Sequence, residues 1–267
     1  MSKILATAFL LVYYKILQIP GNRALSPIIQ FIFMNSSNQA GFQTFSFVHL
    51  ATVAVIIFVA FFLAFIVRTK KFKALRLPIS RLLFTIQIAN ELIFLFIIIS
   101  IGVWDYKWGL PIQICDLAVF AVAFSLLKHN QFVWELAYFW GLGGTVQAIL
   151  SPDIQFTFPD YAYIKFFLTH GCIIIGVIYL SVGCGGKIYK SSLLRVFVTT
   201  NIYSFAILIF NRLFDTNYLY LCEKPSQPSI LDYLGPWPTY LLWLEVILIV
   251  SLLFYYLPFY IAEKVNE

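Results

Sequence analysis

Cys115 and His170 fall within apolar stretches of the chain and are a candidate nucleophile and base. A cysteine becomes a nucleophile when a neighbouring base takes its proton, and histidine is the common partner because its pKa lies near neutrality. Asp116 could orient a histidine or instead bond the backbone of a neighbour. His49 is the competing base. The two residues could form a nucleophile–base pair, although a cysteine in an apolar helix also serves as a small packing residue.

Further polar residues within or beside the apolar stretches are candidates for a pocket: Glu91, Asn201, Asn211, Asn217 and Glu245. Ionisable groups inside a membrane span are costly and usually face the protein interior or a wet cavity. The two glutamates could carry protons or cations, which points to a transporter. The asparagines could simply join helices by hydrogen bonds, as in a structural or receptor-like protein.

The composition identifies the bilayer as the solvent. Of the 267 residues, 61% are hydrophobic and only 11% are charged, so a soluble enzyme is excluded. The four cysteines have no paired spacing, and we expect neither a disulfide framework nor a metal site. No Gly-rich phosphate loop is present, and no cofactor is predicted.

We predict an all-α fold, a polytopic membrane helix bundle with seven transmembrane helices, because seven stretches approach the roughly 20 apolar residues that a span needs. The predicted spans are 46–67, 82–103, 111–127, 131–150, 162–182, 195–214 and 238–260. Residues 4–19 form an interfacial helix or an eighth, short span. The domains are therefore an N-terminal region (1–45), a helix-bundle domain (46–260) and a cytoplasmic tail (261–267).

Several polar groups share one depth in these spans. At 1.5 Å per residue, His49, Asn211 and Cys115 lie about 5 to 6 Å from the outer end, Asp116 about 8 Å and His170 about 12 Å. Pro111 is expected in the first turn of the third span. The third span is short and the fourth contains Glu135, three glycines and Gln147, so we expect both to face inward rather than toward lipid.

The basic residues mark topology rather than a nucleic-acid site. Of the 18 Lys and Arg, 11 fall on the side of the 68–81 loop and the C-terminus, and seven on the other. The positive-inside rule then predicts a multi-pass protein of the cell membrane with a cytoplasmic C-terminus. The expected partners are membrane lipids and no nucleic acid, and the sequence leaves the oligomeric state open.

Six segments carry a resemblance to a known family: 109–117 (GLPIQICDL), 135–153, 158–160 (FPD), 166–171 (FFLTHG), 211–218 (NRLFDTNY) and 231–238 (LDYLGPWP). Together they resemble the YwaF-like family of bacterial integral membrane proteins over about residues 46–260. That family is distantly similar to a eukaryotic transmembrane lipid acyltransferase family with a cysteine nucleophile and a histidine. The resemblance implies that Cys115 and His170 fill these two roles on a lipid or acyl-chain substrate.

Overall fold

The computed structural model describes residues 41–152, 154, 157–225 and 230–266, and this part of the chain contains α-helices and no strand. The seven α-helices are α1 (Phe47–Arg68), α2 (Arg76–Ser100), α3 (Ile114–Leu127), α4 (Gln131–Leu150), α5 (Tyr161–Ile178), α6 (Lys190–Phe214) and α7 (Thr239–Asn266). A π-helical turn, Tyr179–Gly183, extends α5, and 3₁₀ turns occur at Lys70–Leu75, Tyr218–Tyr220 and Ile230–Leu234. The all-α prediction is confirmed.

Five of the helices, α1, α2, α5, α6 and α7, are long and apolar enough to cross a membrane. The chain is therefore a multi-pass membrane protein. The predicted helix at 4–19 lies outside the described residues, as does almost all of the predicted N-terminal region 1–45.

Consecutive helices run in opposite directions, so their ends gather at two ends of the bundle. At one end His49 near the start of α1 bonds the carbonyl of Ile149 near the end of α4. At the other end Arg76 at the start of α2 bonds the carbonyl of Gly183 after α5. We call the first the Cys115 end, because α3 begins there, and the second the basic end, because it carries residues 68–81.

Three predicted helix starts are wrong, and one of them is that of α6, which begins at Lys190 rather than residue 195. Helix α2 begins at Arg76 rather than residue 82, since the Arg76 side chain is held by the carbonyls of Val67 and Gly183. Helix α3 begins at Ile114 rather than 111, so Pro111 precedes the helix instead of standing in its first turn. The backbone amide of Gln113 donates to the Asp116 carboxylate (3.0 Å) and fixes this start.

The core lies between α3, α4 and α5. Ten of the 20 residues of α4 are buried, whereas four of the 25 residues of α6 are. Val119 and Val122 of α3, Trp134 of α4, and Ile173 and Val177 of α5 belong to this central cluster. The expectation that the third and fourth spans face inward agrees with this burial. Large apolar side chains are exposed along α1, α2, α6 and α7, as lipid contact requires.

Candidate active site at the start of helix α3

The start of α3 lies inside the bundle. With 14 residues, α3 is about 21 Å long, shorter than a hydrocarbon core of roughly 30 Å, so the preceding loop enters from the Cys115 end. Cys115 is the second residue of this helix, where the N-terminal end of the helix dipole favours negative charge. Partial burial opposes a thiolate at the same position. Ionisation of Cys115 therefore calls for a base within reach.

The sulfur of Cys115 packs against the backbone of α4. A Cβ atom placed on Gly144 would lie 3.2 Å from Cys115 Sγ, a tight contact, while one placed on the neighbouring Gly143 would meet nothing within 4 Å. Gly144 therefore lets α4 approach the sulfur closely. A side chain there would press directly on the candidate nucleophile.

His170 on α5 is fixed in one tautomer. Its Nδ1 lies 2.8 Å from the carbonyl oxygen of Phe166, one turn earlier, and a carbonyl can only accept, so Nδ1 carries the proton. The ring also lies over Phe166, with centroids 4.2 Å apart. Nε2 is then an unprotonated acceptor, and it has no hydrogen-bond partner among the described residues. Such a nitrogen can take up a proton.

Helix packing places Cys115 and His170 at similar depth. Val122 of α3 contacts Gly176 of α5, and the two helices run in the same direction. Seven residues, about two turns, separate Val122 from Cys115 and Gly176 from Thr169, the neighbour of His170. No hydrogen bond joins Cys115 to His170 in the part of the chain that the structure describes.

His49, the competing base, has both ring nitrogens engaged by the backbone. Nδ1 accepts from the amide of Phe45 (2.9 Å), and Nε2 donates to the carbonyl of Ile149 (2.8 Å). The ring is buried against Phe167. It therefore ties the start of α1 to the end of α4 and has no lone pair free to accept a proton.

Asp116 bonds the backbone of Gln113 and makes no hydrogen bond to a histidine. The sequence left two roles open for Asp116, to orient a histidine or to bond the backbone of a neighbour. The structure shows the second role. The Gln113 side chain in turn accepts from the amide of Leu219 (3.1 Å), which attaches a second loop to the start of α3.

A charged cluster that sequence reasoning missed lies between α2 and α5. Lys165 pairs with Glu91 (3.0 Å), Thr169 donates to the same carboxylate (2.7 Å), and Asn90 donates to Thr169 (2.8 Å). One signal was available: Lys165 is the only Lys or Arg inside the predicted span 162–182.

Asn211 and Asn217 shape the loop that covers the start of α3. Asn211 is buried and bonds Thr216 and both backbone groups of Tyr218. Asn217 bonds the backbone of Cys222 and Glu223. The Tyr218 hydroxyl reaches across to the backbone of Tyr106 and Leu110 in the loop before α3. These asparagines therefore organise the cover of the site, and their own bonds do not reach Cys115 or His170.

The remaining carboxylate candidate belongs to a different helix pair. Glu245 of α7 accepts from Asn201 of α6 (3.1 Å), whereas Glu91 pairs with α5. The two glutamates that would line a transport path thus have separate partners on separate helices.

A second charged pair lies toward the basic end. Arg195 of α6 forms a two-pronged ion pair with Glu135 of α4, which also accepts from Gln131 (3.0 Å). The Glu135 side chain is fully buried and that of Arg195 is 43% exposed. Both carboxylate oxygens accept hydrogen bonds, so this pair joins two helices.

All four cysteines are free thiols. In the described ranges, no group of three or more His, Cys, Asp and Glu side chains is arranged to hold a metal ion.

The comparison that decides the family covers most of the chain, since the TMEM164 family model matches residues 42–256. The chain belongs to the TMEM164 family. The match covers the first six helices, ends within α7 and includes every candidate site residue. No curated protein and no solved structure matches the chain. The resemblance to the YwaF-like family stays a prediction.

Proposed function

We propose that this TMEM164 family protein is a lipid-directed acyltransferase or acyl hydrolase in which Cys115 is the nucleophile and His170 the general base and acid. The observation that carries the proposal is the free Nε2 of His170, at the depth of a partly buried thiol that begins a helix. The other intramembrane histidine, His49, has both ring nitrogens hydrogen-bonded, so we assign the role of base to His170.

The reaction divides into two balanced halves. Nε2 of His170 takes the proton of Cys115, and the sulfur attacks the carbonyl carbon of an acyl ester. The tetrahedral intermediate collapses, the carbon–oxygen bond to the alcohol breaks, and His170 returns the proton to that leaving oxygen. A second hydroxyl group, or water, then attacks the thioester with His170 again as base, which releases the acyl group and restores the thiol.

The surroundings support an acyl substrate. The site lies among membrane helices whose outer surfaces carry exposed Phe, Leu and Ile side chains, so a lipid can approach it from the bilayer. The loops at the Cys115 end lie over the start of α3. There Tyr203 of α6 donates a hydrogen bond to the carbonyl of Ile112 (2.6 Å). Transport through Glu91 and Glu245 has less support because the two belong to separate helix pairs.

We further propose that the basic end faces the cytoplasm. Two observations support this orientation: the helices alternate in direction, so the end of α7 shares an end of the bundle with residues 68–81, and 11 of the 18 basic residues fall on that side. Impermeant thiol labelling of intact cells tests the side: a cysteine introduced at Lys264 should stay unlabelled until the membrane is opened, and immediate labelling would reverse the orientation.

Turnover of a simple acyl probe tests the proposed reaction. Purified protein in detergent micelles is given the p-nitrophenyl ester of a long-chain fatty acid, and release of p-nitrophenolate is followed for wild type, Cys115→Ser and His170→Ala. Both variants should lose turnover while keeping the wild-type helical circular dichroism. A Cys172→Ser variant serves as control, since Cys172 is a buried core residue. Wild-type turnover in both Cys115→Ser and His170→Ala would overturn the proposal and favour a structural role.

A further inference from the structure

The hydroxyl of Thr145 on α4 is buried without a partner. The residue is fully buried, and Oγ1 makes no hydrogen bond within the described part of the chain. A helical threonine hydroxyl can usually bond the carbonyl four residues earlier, and an unpaired buried hydroxyl is destabilising. A group kept in this state is explained most simply if it pairs with something that is absent from the resting protein.

Thr145 faces α5 at the depth of His170. It lies on one stripe of α4 with Gly141 and Ile149, at intervals of four residues. Gly141 contacts Ile173 and Val177 of α5, and Ile149 packs in a cluster with Phe167. Thr145 stands between them, so it faces the stretch of α5 between Phe167 and Ile173, where His170 lies.

The same turn of α4 also contacts the candidate nucleophile. Gly144, the preceding residue, lies against Cys115 Sγ. One turn of α4 is therefore level with both Cys115 and His170, and it contributes an unpaired hydroxyl there. An acyl carbonyl attacked by the sulfur would have to enter this same layer.

We propose that Thr145 is a third catalytic residue, whose hydroxyl donates a hydrogen bond to the acyl oxygen that becomes negatively charged when Cys115 attacks. This inference rests on the proposed acyl chemistry. The carbonyl carbon–oxygen double bond becomes a single bond to O⁻ as the carbon–sulfur bond forms, and the hydroxyl stabilises that charge without losing its proton. When the intermediate collapses, the double bond re-forms and the hydroxyl is released unchanged.

The other buried polar atoms without partners do not suit this role. Gln87 has only an acceptor left, because its amide nitrogen already bonds the carbonyl of Val119. The hydroxyl of Ser125 is ten residues along α3 from Cys115, about 15 Å. Tyr161 begins α5, nine residues before His170, which is about 13 Å of rise along the helix axis. Thr145 combines a free donor with the right depth.

The test uses Thr145→Val, Thr145→Ser and the control Ser125→Ala, with the p-nitrophenyl ester as probe. Removing one oxyanion donor lowers turnover by about 10²–10³-fold, so Thr145→Val should lose about that factor in kcat, with KM little changed. Thr145→Ser keeps the donor and should stay within about tenfold of wild type. Ser125→Ala, which also removes an unpaired hydroxyl, should turn over as wild type does.

Thermal unfolding in the same micelles separates catalysis from structure. Because the Thr145 hydroxyl has no partner to lose, Thr145→Val should unfold at the wild-type temperature or above it. Low turnover with undiminished stability supports the inference. Wild-type kcat in Thr145→Val, with Cys115→Ser inactive, would overturn the role of Thr145 and leave the acyl chemistry intact. Full turnover in Cys115→Ser would overturn both.

Discussion

Two polar sites inside the same bundle differ in how many of their donors and acceptors are hydrogen-bonded. Toward the basic end, the buried carboxylate of Glu135 is engaged at both oxygens by Arg195 and Gln131. At the Cys115 end, Nε2 of His170 and Oγ1 of Thr145 have no partner in the described ranges. Both sites lie between packed helices, so the difference is not one of solvent contact alone.

A polar site that only joins helices gains from pairing every group, because each unpaired buried donor or acceptor costs free energy. A site that binds a reacting molecule must keep groups free for it and accept that cost. Unpaired groups at the Cys115 end are therefore what the proposed chemistry requires. Variants should separate accordingly: removing an unpaired group should change activity, and removing a paired group should change stability.

The largest effect is expected from His170→Gln. Loss of the general base should lower kcat for the p-nitrophenyl ester by about a thousandfold, while the lost Phe166 hydrogen bond costs only about 1 kcal/mol. Stopped-flow release of p-nitrophenolate measures the first and thermal unfolding the second. His49→Gln is the matched control: its ring holds two backbone bonds, so stability should fall and the folded fraction should keep its turnover.

Arg195→Met should damage the paired site in the opposite way. It leaves the fully buried Glu135 carboxylate without its cation, and we expect a loss of about 3 kcal/mol in the free energy of unfolding. Turnover per folded molecule should stay at the wild-type value. The double variant Glu135→Gln with Arg195→Met removes both charges and should recover most of the stability. A double variant no more stable than Arg195→Met would show that the buried charge is not the cause.

A smaller effect is expected from one methyl group beside the sulfur. Gly144→Ala places a Cβ 3.2 Å from Cys115 Sγ, whereas Gly143→Ala meets open space, and both changes gain the same helix propensity. Displacing the sulfur by a few tenths of an ångström should lower kcat about tenfold in Gly144→Ala alone. Equal kinetics in the two alanine variants would mean that the sulfur position does not control the rate.

The smallest effect is expected at a surface pair. Lys107 donates to Asp215 (2.8 Å), and this holds the pKa of the Asp215 carboxyl below its usual range. A carboxyl group with a lowered pKa stabilises the folded protein at any pH above its ordinary pKa of about 3.9. That stabilisation is lost as the pH falls through the lower, folded-state pKa. Since the Asp215 side chain is 95% exposed, Asp215→Asn should change the melting temperature by no more than about 1 °C at neutral pH. A larger drop would place this pair among the structural ones.

The sequence predicts the helices far better than the neighbours of each polar group. Composition and the spacing of apolar stretches were enough for seven helices and for the inward position of α3 and α4, because hydrophobic length is a property of the segment itself. The start of α3 was misplaced by three residues, since Pro111 is a helix-start signal and the Asp116 cap is visible only in three dimensions.

Hydrogen-bond partners could not be predicted because they depend on helix rotation. His49 and His170 are equivalent as sequence, yet one has both nitrogens bonded and the other has one free. Lys165 reads as a basic residue near a helix end, and only packing against α2 shows its partner, Glu91. Thr145 carries no signal at all in a helix of mixed polarity. The family match over residues 42–256 does not tell these side chains apart, because their hydrogen-bond partners are visible only in the structure.

The most direct test of Cys115 as the nucleophile is the mass of the Cys115 peptide after a short incubation with the fatty-acyl p-nitrophenyl ester. The proposed chemistry predicts one acyl group on Cys115 that hydroxylamine removes, as a thioester requires, and none on Cys172, Cys184 or Cys222. His170→Gln should form the adduct far more slowly. Ester turnover with an unmodified Cys115 at every time point, or an adduct spread evenly over the four cysteines, would contradict it.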